Sequence, residues 1–191
     1  MKKLFFLIVI ALSAVTSYAQ NDYPTKGYRW FLDFSAPMYS GKVGGINYFS
    51  HRYGLATTHG YQFNRFFYLG GGIAYQYATT KFDEPYADFG VKGNERENWN
   101  LLTEYVNVRC DFVAKKYSPY IEAKLGISTD MDSKDWKYTE SNSSFWQKYS
   151  VGARLGRWNV YASYEFNYNR SFLSDDYWGL GVAYEFGKAA R

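Results

Sequence analysis

The clearest repeating pattern of this chain is in Trp178-Gly-Leu-Gly-Val-Ala-Tyr-Glu-Phe186. Large apolar side chains occupy every second position, and small or charged residues stand between them. Successive side chains of a strand point to opposite faces, so this period of two predicts a β-strand with one apolar face. The polar stripe is too small to be the solvent face of a soluble sandwich. The apolar stripe is therefore predicted to face lipid and the other to face a polar interior.

The same alternation recurs along the chain and predicts eight strands, at 27–36, 50–63, 66–79, 99–113, 119–128, 145–155, 158–168 and 177–186. Short connections at 64–65, 114–118 and 156–157 alternate with long polar ones at 37–49, 80–98, 129–144 and 169–176. Such an order places all short turns at one end of a barrel and all long loops at the other. The sequence thus predicts an all-β fold, an eight-stranded antiparallel up-and-down transmembrane β-barrel.

The N-terminus has the features of a secretory signal peptide. Two lysines at positions 2 and 3 precede an apolar run from Leu4 to Val15, and a small-x-small motif ends at Ala19. The run is shorter than the roughly 18 apolar residues of a transmembrane helix. We therefore expect a signal peptide at 1–19, an outer-membrane β-barrel domain at 20–191 and export to the cell outer membrane.

Composition agrees with this class of protein. Removal of 19 of the 191 residues leaves 172, which suits one eight-stranded barrel with its loops. The remaining 20 basic residues face 18 acidic ones, so charge gives no basis for nucleic-acid binding. Cys110 is the one cysteine and forms no internal disulfide. Aromatic residues make up 22 % of the chain, which fits aromatic girdles at two membrane interfaces.

The inward parity carries charge of both signs in equal number. Five basic and five acidic residues are predicted to form a lumen network: Arg29, Asp33, Arg109, Asp111, Glu122, Lys124, Lys148, Arg154, Glu165 and Glu185. An unpaired charge in such an interior costs several kcal/mol, so we expect these residues to pair and to plug the barrel. Glycines of the same parity are expected to leave room for the long basic side chains. Glu104 has outward parity, and we expect it beside a loop or on a bulge that turns it inward.

Five stretches resemble the outer-membrane protein β-barrel domain family, the small PorT-like or OmpX-like barrels of Bacteroidota. They are THGYQFN at 58–64, FYLGGG at 67–72, YVNVRCDF at 105–112, SPYI at 118–121 and KLG at 124–126. The resemblance spans nearly all of the mature chain and implies an eight-stranded barrel in the outer membrane. It implies no catalytic residues, because the family shares none.

An enzymatic alternative rests on the two histidines, since some outer-membrane barrels modify lipid A. Such catalysis needs a nucleophile and a base in reach of each other. Neither His51 nor His59 has a serine at a spacing that would put a hydroxyl on its own face. No catalytic residue is therefore predicted, and a lipid-A-modifying enzyme that uses one of these histidines stays an alternative.

No cofactor or metal site is predicted. Gly70-Gly71-Gly72 lacks the lysine and the helix of a phosphate loop. The loop acids lack the glycine and distal glutamate of a calcium loop. Side chains fill the interior of an eight-stranded barrel, which argues against free diffusion of solutes. A narrow porin-like pore or a component of a secretion apparatus remains a further alternative.

The long loops carry the best candidates for contacts with other molecules, because binding residues tend to lie on loops of a rigid scaffold. The predicted contacts are Phe82, Tyr86, Phe89, Trp136, Tyr138 and Trp146. The alternative is that these aromatic residues extend the girdle or pack on one another. We therefore expect a monomeric, non-enzymatic barrel in outer-membrane lipid and lipopolysaccharide, with an envelope or surface-interaction role and a surface ligand or protein partner at its loops.

Overall fold

The computed structural model describes residues 26–43, 46–82, 96–113, 115–131, 143–168 and 175–186. Its strands are β1 Gly27–Val43, β2 Ile46–Gln62, β3 Phe67–Phe82, β4 Arg96–Asp111, β5 Tyr117–Asp130, β6 Ser143–Leu155, β7 Trp158–Tyr168 and β8 Asp175–Phe186. Each strand pairs antiparallel with the next, and β1 pairs with β8, so the sheet is closed. The predicted eight-stranded antiparallel barrel is confirmed. The predicted signal peptide lies outside the described residues.

The register fixes the inclination of the strands. A path of paired residues around the barrel starts at Tyr28 and passes Tyr61, Leu69, Val108, Ala123, Tyr149, Tyr164 and Trp178. It returns to β1 at Met38, ten residues beyond its start. A shift of ten over eight strands corresponds to strands inclined by about 40° to the barrel axis. Every residue on this path belongs to the outward parity.

Two tight turns illustrate how local sequence closes the hairpins. Between β2 and β3 the Asn64 Oδ1 accepts hydrogen bonds from the backbone N–H groups of Phe66 and Phe67, at 2.8 and 2.9 Å. Between β6 and β7 Gly156 has a φ of 71°, a conformation that side chains disfavour. Both turns lie at the same end of the barrel, as their predicted positions require.

The wall is taller on one side than on the other. Strands β1 to β4 have 16 or 17 residues, whereas β5 to β8 have 11 to 14. The surplus is the β1–β4 extension, which comprises residues 39–43, 46–50, 79–82 and 96–100. Pairing with β8 ends at Met38, and pairing with β5 begins at Leu101. At about 2.5 Å of axial rise per inclined strand residue, the extension projects roughly 10 Å above the shorter half.

The extension corrects one prediction. Residues 37–49 were expected to form a long loop, but β1 continues to Val43 and β2 begins at Ile46. The pairs Ser40 with Phe49 and Lys42 with Asn47 carry the hairpin onward. The turn-forming residues Pro37, Ser40 and Gly41 suggest a loop, but Pro37 pairs with Gly179 on β8 and the other two pair with β2, which keeps this backbone extended. The other long connections shorten by a few residues for the same reason.

The outward face is mostly apolar over the height of the shorter strands. Leu180 is 72 % exposed, Val151 62 % and Ile127 58 %. Exposed aromatic residues lie near both ends, with Trp158 at the turn end and Phe145 at the loop end. An apolar surface of this extent is typical of lipid contact rather than of a water-soluble domain. The described residues contain no helix of a length and hydropathy that would cross a membrane.

Tyrosine rings occupy the space that several inward glycines leave. A side chain on Gly72 would meet the Tyr105 ring, and one on Gly181 would meet the Tyr161 ring. The expectation that these glycines make room for arginine and lysine is therefore wrong. The basic groups lie next to the rings instead: the Lys124 Nζ is 5.3 Å from the Tyr105 ring centre, and the Lys148 Nζ is 5.1 Å from that of Tyr161.

Candidate functional site in the lumen and on the outer wall

All ten residues of the lumen network lie on the inward parity of their strands, and each takes part in an ion pair. At the turn end Asp111 accepts from Arg109 at 3.0 Å and from Arg154 at 2.7 Å. Arg154 also donates to the Lys115 carbonyl oxygen at 2.7 Å. The Arg109 guanidinium lies 3.6 Å from the centre of the Tyr120 ring. This layer joins β4, β5 and β6 and forms the floor of the lumen.

The middle layer joins strands that are far apart in sequence. The Lys124 Nζ lies 2.8 Å from an Asp33 oxygen and 3.3 Å from a Glu122 oxygen. The Tyr161 hydroxyl donates to the other oxygen of Asp33. Side chains from β1, β5 and β7 therefore meet on the barrel axis. Near the floor, Arg29 pairs with Glu185 at 3.4 Å and links β1 to β8.

The upper layer contains a residue that the sequence analysis missed. Lys148 pairs with Glu165 at 3.0 Å, and the Gln76 amide donates to the second oxygen of Glu165 at 3.0 Å. Above them Arg52 is buried, and its guanidinium lies 3.8 Å from the Tyr177 ring centre. Arg52 occupies an inward position in the alternation of β2. The surrounding stretch of β2 alternates with so little contrast that this signal was overlooked.

Together the three layers fill the lumen from the floor to the loop end. Each charged group that bonds across the axis is held by several partners. Because these groups are desolvated, removal of any one partner is expected to lower the free energy of unfolding substantially. An arrangement of this kind ties opposite walls together. Among the described residues, the charged groups of the middle layer bond to each other, and the Asn107 Oδ1 beside Glu122 is a buried polar atom without a partner there.

On the outer wall, His59 lies in a hydrogen-bonded group. The Thr57 hydroxyl is 2.9 Å from its Nε2, and the Tyr28 hydroxyl is 2.5 Å from its Nδ1. The Trp30 ring stacks parallel to the imidazole with 5.6 Å between ring centres. The sequence has no serine on the face of His59, but Thr57 precedes it by two residues and so shares its face, a signal that the search for serine missed.

The second histidine has a different environment. His51 lies on the outward face between the rings of Phe49 and Tyr53, with ring centres 5.9 and 5.5 Å away. Ser50 points into the lumen, where it accepts from the Thr80 and Tyr177 hydroxyls. Adjacent strand residues point to opposite faces, so this serine is out of reach of His51.

One predicted loop contact, Trp146, does not lie in a loop. It lies on β6, is 1 % exposed and packs on Tyr105 with 5.6 Å between ring centres. Trp146 lies two residues from Lys148 within the predicted strand 145–155, so its parity is inward and the loop assignment is wrong. Phe82 is the last residue of β3, and its side chain is outside the described set. Tyr86, Phe89, Trp136 and Tyr138 lie outside the described residues.

Glu104 also departs from its prediction. It is exposed on the outward face in the middle of β4, opposite Ile73 on β3 and Ile127 on β5. Both ladders run through this position without a bulge, so the carboxylate neither turns inward nor lies beside a loop. Among the described residues no group of histidine, cysteine and acidic side chains is arranged to hold a metal ion.

Comparison with known proteins supports the fold. No protein-family model matches the chain, and no curated protein sequence is similar to it. The outer-membrane enzyme PagL has a similar structure, with a TM-score of 0.50, 14 % identity and coverage of 83 % of this chain and 99 % of that one. The outer-membrane protein Ail of Yersinia pestis has a TM-score of 0.44, 16 % identity and coverage of 81 % and 99 %. The N-terminal barrel of Pseudomonas aeruginosa OprF has a TM-score of 0.42, 13 % identity and coverage of 83 % and 97 %.

These identities establish a likeness of fold alone, that of small bacterial outer-membrane barrels. At 14 % identity, the likeness to PagL shows the fold of this chain and not its activity.

Proposed function

We propose that the chain is a non-enzymatic barrel of the bacterial outer membrane that meets partners at the cell surface. The observation that carries the proposal is the contrast between a lumen filled by ion pairs and a wall that rises on one side as the β1–β4 extension. The filled lumen disfavours a transport role, whereas the extension offers an ordered surface beyond the membrane. The N-terminal signal peptide would direct export, and lipid with lipopolysaccharide would surround a monomer.

Surface labelling of intact cells tests the position of the extension. We would replace Cys110 with alanine and introduce one new cysteine, either Ser40→Cys in the extension or Arg65→Cys in the turn between β2 and β3. A membrane-impermeant maleimide is expected to label the first variant on intact cells and the second only after lysis. Labelling of the turn cysteine on intact cells, or failure to label the extension, would contradict the proposal.

Two measurements address the other possible roles. Migration of unboiled and boiled samples on gels is expected to differ, because a folded outer-membrane barrel resists unfolding by detergent. Purified protein in planar bilayers is expected to show no conductance steps above background. Regular steps would favour the narrow pore over the proposed role.

A second candidate function follows from the group around His59. A hydroxyl next to an imidazole Nε2, with a further hydroxyl at Nδ1, resembles the nucleophile, base and orienting group of a hydrolase. The group faces lipid, so its substrate would be a lipid ester. The proton of Thr57 would pass to His59 as the Thr57 oxygen attacked the carbonyl carbon, and the leaving alcohol would then take it. Water would release the acid from the resulting ester.

The arrangement lacks two parts of such a site among the described residues. The third member is the Tyr28 hydroxyl rather than a carboxylate, so the imidazolium would have no opposite charge beside it. The backbone N–H groups nearby belong to paired strands and are committed to the β1–β2 and β2–β3 ladders. No donor is thus available to stabilise an oxyanion. These gaps make the enzyme the second candidate.

Mass spectrometry separates the two candidates. Phospholipid and lipid A would be analysed from cells that produce the native protein, Thr57→Ala or His59→Ala. Identical acylation patterns are expected if the barrel is not an enzyme. A modified lipid that appears with the native protein and vanishes in both variants would establish the enzyme.

A further inference from the structure

One part of the outer wall has an unusual surface, which we call the β2–β4 patch. It consists of two rows of paired outward residues on β2, β3 and β4: His59, Gly71 and Val106 in one row, and Thr57, Ile73 and Glu104 in the next. Both rows lie between the aromatic residues at the two ends of the barrel. Four of the six residues are polar or glycine, although the surrounding face is apolar.

The opposite wall gives the comparison. On β6, β7 and β8 the corresponding rows are Ala153, Val160 and Val182, and Val151, Ala162 and Leu180. All six are apolar, as a wall in contact with lipid chains requires. The patch is therefore a local feature of the β2–β4 side and no property of the barrel as a whole.

Glu104 is the residue of the patch whose contact with lipid is least favourable in free energy. Its carboxylate is exposed, and none of the described residues donates a hydrogen bond to it. Lipid chains offer no hydrogen bonds, so an ionisable group at this depth is expected to pair with a donor from outside the chain. A cation is the partner that best matches a carboxylate.

Gly71 makes the patch suited to a close neighbour. A side chain added there would have only the Tyr105 carbonyl oxygen nearby, at 3.4 Å, so the position is an open notch in the wall. Small residues at membrane interfaces let a second backbone approach closely. The notch lies one row below Glu104 and one strand away, within the reach of a single transmembrane segment.

The described part of a second copy of this chain offers no cation at the depth of Glu104. The exposed basic residues of the described part lie at strand ends and turns: Lys26, Arg65, Lys81, Lys116 and Arg157. In a parallel dimer none of them reaches the depth of Glu104. We propose that the β2–β4 patch docks a different membrane protein, through a transmembrane segment that carries a lysine or arginine at the depth of Glu104. This inference rests on the proposed position of the chain in the outer membrane.

A model peptide tests the inference directly. The protein would be reconstituted in phosphatidylcholine vesicles, whose head groups donate no N–H hydrogen bond, and labelled with a donor dye at its native Cys110 on β4. The probes are two leucine-rich transmembrane peptides with an acceptor dye, one with a single lysine at the depth of Glu104 and one with leucine there. We expect energy transfer to the lysine peptide to exceed that to the leucine peptide about threefold or more, as for one hydrogen bond within a membrane.

Three variants locate the contact. Glu104→Gln is expected to reduce transfer from the lysine peptide to the leucine level, and Gly71→Ile to reduce it by closing the notch. Ala162→Ile adds the same side chain to a small outward residue on β7 and is expected to change nothing. Each variant is first checked for heat-modifiable migration, which separates failure of the barrel itself from failure of the patch.

Three outcomes would overturn the inference. They are equal transfer to both peptides with the native protein, unchanged transfer after Glu104→Gln, and loss of lysine-dependent transfer when phosphatidylethanolamine replaces phosphatidylcholine. The last result would assign Glu104 to a lipid amine instead of a protein. Surface labelling of the extension is independent of all three, so the proposed function is tested separately.

Discussion

The two halves of the barrel wall both span the apolar band, but their strands differ in length. Strands β5 to β8 close the sheet and cover the height of the apolar band with 11 to 14 residues each. Strands β1 to β4 use 16 or 17, extend above that level and carry the polar β2–β4 patch. The shorter half shows how much wall the fold itself requires. The surplus height and polarity of the taller half are therefore the features that need a function.

The largest expected effect comes from cutting the tie between the halves. Asp111→Ala removes from β4 the carboxylate that Arg109 and Arg154 share, and leaves two buried guanidinium groups without that partner. We expect the free energy of unfolding to fall by about 3–5 kcal/mol. Urea titration in lipid vesicles, followed by migration on unboiled gels, measures it. Lys81→Ala at the exposed end of β3 is the control and is expected to change stability by about 0.5 kcal/mol or less. A loss for Asp111→Ala no larger than that of the control would refute the role of the network.

An arginine introduced on each wall tests whether the two outer surfaces differ in their tolerance of a cation. Val182→Arg on β8 places a charge on the apolar wall and is expected to cost about 2–4 kcal/mol. Val106→Arg lies next to Glu104 on the outward face of β4, and a bond between the two should recover about 1.5 kcal/mol of that cost. The same urea titration compares them, and the double variant with Glu104→Gln isolates the pair. Equal costs on both walls would mean that Glu104 is not available to a cation.

Removal of the lipid-facing charge is expected to stabilise the isolated protein. Glu104→Leu replaces a carboxylate without a described partner by a side chain that lipid solvates, for a gain of about 1 kcal/mol. The unfolding midpoint in phosphatidylcholine vesicles reports the change. A loss of stability instead would indicate a bond to Glu104 within the monomer.

The smallest effects compare two buried hydroxyl groups. Ser163 in the shorter half is buried, and its hydroxyl has no partner within the described structure, so Ser163→Ala is expected to cost under about 0.5 kcal/mol. Thr103 on β4 donates to Ser128 at 3.0 Å, and Thr103→Ala is expected to cost about 1 kcal/mol. Both values come from the same titration. The reverse order would show that the hydroxyl of Ser163 is bonded in the lumen.

The fold could be predicted because period two and the charge of the inward stripe are local signals. The alternation alone indicates that Asp33 and Lys124 point inward. Their pairing across the axis depends on the register and cannot be predicted in the same way. The extension could not be predicted, since Pro37, Ser40 and Gly41 favour a loop. Pairing of Pro37 with Gly179 on β8, and of Ser40 and Gly41 with β2, holds them in a strand. Trp146 is a different case, because it lies within the predicted strand 145–155 and two residues from the inward Lys148, so its parity already indicated the lumen.

Only one of the two hydrogen-bond partners of His59 could be predicted from the sequence. Thr57 lies two residues away on the same strand, so its position on the same face follows from the sequence. Tyr28 comes from β1, and its contact depends on the pairing of β1 with β2. Sequence reasoning thus reaches along a strand but not across the sheet.

The inward position of Trp146 provides a built-in optical reporter. Trp30, Trp158 and Trp178 lie on the outer wall, where brominated acyl chains would quench their fluorescence, whereas Trp146 is shielded by the sheet. The difference in fluorescence between the native protein and Trp146→Phe in brominated vesicles is the light of Trp146, and it would report the closed state of the barrel in real time.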